Sequence, residues 1–194
     1  MATSTNIHTL QDPHSTSEGG RWSTRSIAVT ALFCALSFVT SYIEIPIFPP
    51  APWLTYDPSC IIALVAGLCF GAGTGTLVIV LSWLLRLLFT FNPWGTLMAV
   101  ICNISLVAPA SAIYRRMGGG NKALVTGLIV GAAISLVSAI LSNIVVTPLY
   151  TATTVEAVIE MIVPILIPFN LIKLALNCVI GALVMNSLSK FIGD

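Results

Sequence analysis

The chain of 194 residues is 57% hydrophobic and only 8% charged, with a mean hydropathy of +0.99. Soluble domains carry about 25% charged residues, so eight Lys or Arg and seven Asp or Glu side chains are too few to cover a water-soluble fold of this length. Composition therefore excludes soluble globular, disordered and nucleic-acid-binding proteins and predicts an integral protein of the lipid bilayer.

The N-terminal part begins with a polar tail. Residues 1–25 are rich in Ser and Thr, lack an apolar period and are predicted to form a disordered tail. A first membrane-spanning helix is predicted over residues 26–44. The connection over residues 45–58 is rich in proline, which cannot continue a helix. Trp53 and Tyr56 in this connection are expected at the headgroup level, where interfacial aromatic residues concentrate.

An apolar run from Cys60 to Leu88 follows. It exceeds the ~20 residues that one span needs. The glycines within residues 71–75 favour a tight turn that divides the run into two spans. A turn is then predicted over residues 92–95, followed by a fourth span over residues 96–114.

A basic, glycine-rich loop over residues 115–122 precedes the fifth predicted span, residues 123–146, which Thr147-Pro148 should end. A short segment with two glutamates leads to a sixth span, from about Pro164 to Leu188. The predicted fold class is an all-α integral membrane protein, in which residues 26–192 form a bundle of six transmembrane helices.

Charge placement sets the predicted orientation. With six spans, both termini, the glycine turn and the 115–122 loop share one side of the membrane. The positive-inside rule places that side, with both termini, in the cytoplasm. The basic residues on it are Arg21, Arg25, Arg115, Arg116, Lys122 and Lys190, whereas the opposite side carries Glu44, Asp57, Glu156 and Glu160.

Two cations fall within the predicted spans. An Arg or Lys at the centre of a transmembrane helix costs ~2.5–3.5 kcal/mol on insertion scales and marks a candidate site. Arg86 lies near the outer end of its span and is either a ligand contact or a snorkelling anchor. Lys173 lies deeper and is a candidate ligand contact, with a structural pairing as the alternative. Asn170 and Asn177 share its helix face, and Asn143 has a similar depth.

The outer half of the membrane thus concentrates polar side chains, which suit a neutral or anionic polyhydroxylated ligand. The donors are Arg86, Asn143, Asn170 and Lys173. Aromatic side chains at the same rim either stack on a flat ring or anchor the protein at the interface. They are Trp53, Tyr56, Trp94 and Tyr150.

Motifs for catalysis are missing from the sequence. It contains no P-loop, H-E-x-x-H or G-x-S-x-G pattern, and its two histidines, His8 and His14, lie in the tail. The five cysteines form no C-x-x-C pair. We therefore expect neither enzymatic activity, nor a metal site, nor a bound cofactor.

A stripe of small residues runs along the first span. Ala28, Ala31 and Ala35 lie on one helix face, and the last two form a small-xxx-small pair that permits close helix approach. The pattern leaves open whether this face packs internally or docks onto another protein.

The chain resembles the substrate-binding S components of energy-coupling factor (ECF) vitamin transporters, most closely the riboflavin-specific kind. The most specific matching segment is P-F-N-x-x-K, which spans Pro168 to Lys173. The other matching segments are Ala31-x-x-x-Ala35 and residues 54–59, 67–75, 109–115 and 148–150, with Asn143 ahead of the last of them.

This resemblance implies a six-helix protein that captures a vitamin from outside and has no ATPase of its own. It would dock through the alanine stripe onto a shared transmembrane coupling subunit that carries two cytoplasmic ATP-binding subunits. In riboflavin-type members, residues matching Asn143, Asn170 and Lys173 contact the ligand.

Three alternatives stay open. Pantothenate or another vitamin or precursor could replace riboflavin as the transported ligand. An intramembrane enzyme would need paired carboxylates, a histidine cluster or a Ser/Lys dyad within the spans. A purely structural membrane subunit would not need the outer cluster of Asn and Lys side chains.

Overall fold

The computed structural model describes residues 24–47, 51, 54–151 and 153–193, excluding the side chains of Tyr150 and of residues 189–193. The predicted tail up to residue 23 lies outside the described residues, as do Trp53 and the Tyr150 side chain.

The described part is almost entirely helical, with one antiparallel hairpin in which Ile45 pairs with Tyr56. Its elements are α1 (Thr24–Thr40), β1 (Ile45–Pro46), β2 (Thr55–Tyr56), α2 (Ser59–Phe70), α3 (Ala72–Thr90), α4 (Pro93–Arg116), α5 (Gly120–Tyr150), α6 (Val155–Glu160), a π-helical turn (Ile162–Leu166) and α7 (Ile167–Gly193).

Four of these helical segments are long and apolar enough to cross a membrane: α3, α4, most of α5, and the segment Ile162–Leu188 that includes most of α7. α1 and α2 are shorter apolar helices. At 1.5 Å per residue, the twelve residues of α2 extend about 18 Å, against a hydrocarbon core of about 30 Å. α2 therefore contributes to the bundle without matching the membrane thickness.

α2 forms the centre of the core. Nine of its twelve residues are buried, and it packs against α1, α3, α4 and α7. A helix that is apolar on all sides is expected in such a position. Gly75 of α3 lies so close to it that an added Cβ would come within 2.8 Å of the Gly67 Cα. Small residues thus set the distance between these two helices.

The break between α2 and α3 is shorter than predicted. Only Gly71 leaves the helical conformation, with a φ of +107°, whereas Gly73 and Gly75 lie in the first turns of α3. A positive φ is inexpensive only for glycine, so one residue suffices for the reversal. Arg115 Nη1 donates a hydrogen bond to the Phe70 carbonyl at 3.0 Å and satisfies the end of α2.

Other predicted boundaries also require correction. α1 covers Thr24–Thr40 and ends short of residue 44, because the chain must leave the helix before Ile45 and Pro46, which are extended and pair with β2. The turn predicted over residues 92–95 is the start of α4: the Asn92 side chain accepts a hydrogen bond from Gly95 N at 3.0 Å, and Pro93 occupies the first turn, where no N–H is needed. The predicted loop over residues 115–122 narrows to residues 117–119, and its basic residues Arg115, Arg116 and Lys122 lie in the flanking ends of α4 and α5.

Prolines interrupt the C-terminal helices less than predicted. α5 continues through Pro148 to Tyr150, since membrane helices tolerate a proline when nearby polar groups and neighbouring helices compensate. The sixth predicted span, from about Pro164 to Leu188, corresponds to the helical segment Ile162–Leu188, whose α-helical part begins at Ile167. Pro164 lies in the π-helical turn, where Leu166 N donates to Met161 O at 2.9 Å. Proline has no N–H to donate within a helix, and the wider π-helical turn accommodates this missing donor. The turn also sets the rotational position of the following α7 residues around the helix axis.

α4 and α5 form the most extensive helix pair, and glycines of α5 bring the two backbones together. A Cβ on Gly127 would lie 2.6 Å from the Ala110 carbonyl oxygen, and one on Gly131 would lie 2.6 Å from the Leu106 carbonyl oxygen. Close approach of this kind is typical of helix pairs in membranes.

We expect Gly127→Ala to lower the free energy of unfolding by about 1–3 kcal/mol, because the new methyl group must push α4 and α5 apart. Gly73→Ala is the matched control, since a Cβ there meets nothing within 4 Å. Thermal unfolding of the two variants in detergent measures the difference. Equal unfolding temperatures would contradict the inferred backbone contact.

Candidate functional site

A cavity of about 310 Å³ opens at the end of the bundle opposite the 117–119 loop. Its volume lies near the lower limit of ~300–1,000 Å³ for small-molecule sites. The end of α3, the first half of α4, the second half of α5 and the first half of α7 supply its walls. The polar lining residues are Glu44, Thr55, Asp57, Arg86, Thr90, Asn92, Thr96, Cys102, Asn103, Ser135, Asn143, Asn170, Lys173 and Asn177.

The connection from α1 to α2 covers part of this cavity. Leu54 and Thr55 line it, and Leu54 belongs to a small apolar cluster with Val158, Leu166 and Phe169. This cluster attaches the hairpin to α6, the π-helical turn and α7. The covering segment is therefore packed against the helices that carry the polar groups.

Lys173 forms an ion pair inside the cavity. Its Nζ lies 3.6 Å from Asp57 Oδ2, and the Asp57 and Lys173 side chains are only 6% and 15% exposed. Asp57 Oδ1 accepts hydrogen bonds from the backbone N of Ser59, at 3.2 Å, and from the Ser59 hydroxyl. The start of α2 thus holds a carboxylate against the deep lysine of α7.

Arg86 is buried and paired rather than exposed at the membrane surface. Its Nη2 forms an ion pair with Glu44 Oε1, and its guanidinium carbon lies 4.8 Å from the Trp83 ring centroid and 5.6 Å from that of Tyr42. The Arg86 side chain is 10% exposed, and that of Glu44 is 43% exposed. This arrangement connects α3 to the segment that follows α1 and places the arginine in the cavity wall.

Three asparagines complete the polar wall. Asn170 Nδ2 donates to Leu166 O at 2.8 Å, and Asn143 Nδ2 donates to Ala139 O at 2.8 Å, which leaves each carboxamide with a second N–H for a ligand. Asn177 accepts a hydrogen bond from the Tyr56 hydroxyl at 3.3 Å. The predicted donors Arg86, Asn143, Asn170 and Lys173 therefore line one cavity, together with Asn177.

The predicted aromatic contacts are placed differently. Tyr56 is buried behind the wall and does not line the cavity. Its burial and, to a smaller extent, the negative charge of Asp57 raise the pKa of Tyr56, so its hydroxyl stays protonated. Trp94 is 38% exposed and is not a lining residue. Trp83 and Phe169 are the aromatic residues that line the cavity within the described part of the chain.

Sequence reasoning missed several lining residues. The sequence analysis places Asp57 only in a loop or at a span edge on the outer side, although an acidic residue just ahead of Ser59 and an apolar helix is typical of a helix start. Asn103 was not singled out, although a lone amide within a membrane span needs a partner. Glu44 and Trp83 could not be recognised, because only the folded chain brings them to Arg86.

The alanine stripe faces outward. Ala28, Ala31 and Ala35 are exposed, whereas Thr30 and Cys34 belong to the buried face of α1. Internal packing of this stripe within the described chain is therefore excluded, and the face is available to lipid or to another protein.

A transmembrane bundle that encloses a polar cavity at one end, without a nucleotide-binding domain in the described part, defines a membrane-embedded binding protein. Residues 25–185 match the model of the ECF transporter, substrate-specific component. The chain belongs to this family, whose members are substrate-binding components of transporters rather than enzymes.

Two individual proteins are similar to the chain. One is the riboflavin transporter RibU of Staphylococcus aureus (strain TCH60), 31% identical over 111 residues, which cover 57% of this chain and 58% of that protein. The other is the S component of a bacterial ECF transporter, whose solved structure matches with a TM-score of 0.75 and 29% identity over 87% of this chain and 97% of that one.

Asn103 lines the cavity at 2% exposure, and its Nδ2 has no hydrogen-bond partner among the described residues. An unsatisfied buried donor costs about 1–3 kcal/mol, so we expect Asn103→Leu to raise the free energy of unfolding of the ligand-free protein by a comparable amount. Thermal unfolding in detergent measures this change.

Ser111→Ala is the matched comparison. The Ser111 hydroxyl of α4 is also buried and has no hydrogen-bond partner in the described part of the chain, but Ser111 does not line the cavity. Both substitutions should raise the unfolding temperature. A lower unfolding temperature for Asn103→Leu alone would indicate that a buried water already satisfies the amide.

Proposed function

We propose that this chain is the riboflavin-binding S component of an ECF-type ABC importer in a prokaryotic plasma membrane. It captures riboflavin from outside and delivers it through a shared coupling subunit driven by two cytoplasmic ATP-binding subunits. The observation that carries the proposal is the convergence of Asn143, Asn170 and Lys173 in one cavity of a chain similar to RibU.

The chemistry of the cavity fits a flavin. The isoalloxazine ring presents carbonyl acceptors that need N–H donors, and its flat surface can stack on aromatic side chains. Asn143, Asn170 and Lys173 supply donors, and Trp83 and Phe169 supply aromatic surface. The hydroxylated side chain of riboflavin can bond to polar groups such as Thr96 and Asn103.

The helix arrangement supports six spans with both termini in the cytoplasm. Because Arg115 bonds to the Phe70 carbonyl, the α2–α3 break lies at the same end of the bundle as the 117–119 loop and the basic residues that flank it. α1 and α2 then act as two of the six spans although they are short. With that basic end inside, the cavity faces outward, as capture of an external vitamin requires.

The outward-facing alanine stripe supports docking to the coupling subunit. Small residues let a partner helix approach the backbone closely. Ala28, Ala31 and Ala35 are exposed on a helix whose opposite face is buried in the bundle, so a partner could bind there without disturbing the cavity.

Asn170→Leu tests the binding site. It removes a ligand donor at nearly constant volume, and an unpaired ligand group costs about 1–3 kcal/mol. At ~1.4 kcal/mol per tenfold change, we expect riboflavin affinity to fall roughly ten- to a hundredfold in isothermal titration of the purified protein.

Ser187→Ala is the control for Asn170→Leu. The Ser187 hydroxyl bonds to Leu183 O, four residues earlier on α7, just as Asn170 bonds to Leu166 O, but Ser187 is exposed outside the cavity. Its riboflavin affinity should match that of the unmodified protein. Lack of riboflavin binding by the unmodified protein, with binding of another vitamin such as pantothenate, would overturn the riboflavin assignment.

Ala31→Trp tests the docking face. The larger side chain should block close helix approach, so riboflavin uptake by cells that contain the energizing subunits should be lost, while the purified variant keeps its affinity. Ala133→Trp, at an exposed alanine of α5, should leave uptake intact. A loss of riboflavin binding in Ala31→Trp would contradict a docking role.

A further inference from the structure

The charges that line the cavity cancel. Among the described residues, two cations and two carboxylates line it, and each cation is paired: Lys173 with Asp57, and Arg86 with Glu44. The residues of the α1–α2 connection that lie outside the described part, 48–50 and 52–53, carry no charged side chain in the sequence. The described lining residues therefore carry no net charge, although Lys173 and Arg86 are both among them.

In the ligand-free protein, hydrogen bonds already hold the Asp57 carboxylate in place as the counter-ion of Lys173. It is 4% exposed, and its Oδ1 accepts hydrogen bonds from the backbone N and the hydroxyl of Ser59. The partial positive charge at the start of α2 attracts this carboxylate. Oδ2 remains directed to the Lys173 ammonium at 3.6 Å. The carboxylate is thus held by α2 and does not depend on Lys173 for its position.

We infer that Asp57 determines ligand specificity: by neutralising Lys173 inside the cavity, it selects an uncharged ligand and excludes anionic ones. This inference rests on the proposed function and narrows it. Lys173 carries three N–H donors, so it can bond to a carbonyl or hydroxyl of a neutral ligand while it stays paired with Asp57. Riboflavin fits this requirement, whereas its phosphate ester and carboxylate-bearing vitamins do not.

Each way in which an anion could bind in this cavity carries an electrostatic cost. If it displaced Asp57 from Lys173, it would leave a buried carboxylate without a partner. If it entered beside the intact pair, it would lie close to a like charge in a poorly solvated site. Glu44 adds to this repulsion at the mouth, where its greater exposure weakens the effect.

The test compares riboflavin with riboflavin 5′-phosphate, using fluorescence titration of the purified protein in an uncharged detergent. The measured quantity is the ratio of the two dissociation constants, phosphate over riboflavin. We expect the unmodified protein to prefer riboflavin by at least about tenfold. Riboflavin 5′-acetate, an uncharged ester of similar size, should bind nearly as well as riboflavin. Equally weak binding of both esters would mean that size excludes them, and would overturn the inference.

Two substitutions change the site charge in opposite directions. Asp57→Asn leaves Lys173 uncompensated, so the ratio should fall about tenfold or more; the asparagine oxygen can still accept from Ser59 N and preserve the start of α2. Lys173→Gln leaves Asp57 uncompensated, so the ratio should rise. Both dissociation constants are measured on the same variant, so a loss of affinity that affects both ligands equally leaves their ratio unchanged. If only one of the two variants folds, the direction in which its ratio changes is enough to test the inference.

Glu156→Gln is the matched control, since it removes one negative charge from exposed α6 outside the cavity and should not alter the ratio. A ratio in Asp57→Asn or Lys173→Gln that equals the control would overturn the inference while leaving riboflavin binding established. Absence of riboflavin binding in the unmodified protein would instead overturn the proposed function.

Discussion

A charge inside a membrane protein must find its counter-charge within the protein, and this constraint organises the cavity end of the bundle. Lys173 on α7 is compensated by Asp57 at the start of α2, and Arg86 on α3 by Glu44 after α1. Both carboxylates belong to the connection between α1 and α2. The two pairs therefore hold this connection over the cavity as well as compensating the cations.

The rest of the bundle supports that end through close backbone contacts. α2 is buried on nearly all sides, and the α2–α3 and α4–α5 pairs approach closely because glycines replace larger side chains where the backbones meet. α2 is short, and its first turn lies beneath the cavity with Ser59 and Asp57. The central helix thus both fills the core and presents a carboxylate to the site.

The cavity wall contains polar groups that the ligand-free protein leaves unsatisfied. Asn103 Nδ2 has no hydrogen-bond partner among the described residues, and the walls hold many polar groups in a protein surrounded by hydrocarbon. A ligand that bonds to such groups stabilises the folded, bound form, so binding and stability are coupled. The π-helical turn that accommodates Pro164 ends at Leu166, four residues before Asn170, and it sets which α7 side chains face this cavity.

The membrane class, most of the helices and five of the polar cavity residues followed from the sequence. Low charge, long apolar runs and polar residues spaced on one helix face are local properties that any fold of this chain must satisfy. Hydrocarbon tolerates poorly the five polar residues that stand out for this reason: Arg86, Asn143, Asn170, Lys173 and Asn177. Only the tertiary structure revealed the partners of the two cations. Asp57 and Lys173 are 116 residues apart in sequence, and their attraction depends on a distance that no sequence spacing fixes. For the same reason, the charge balance of the cavity became visible only once α2, α3 and α7 were brought together.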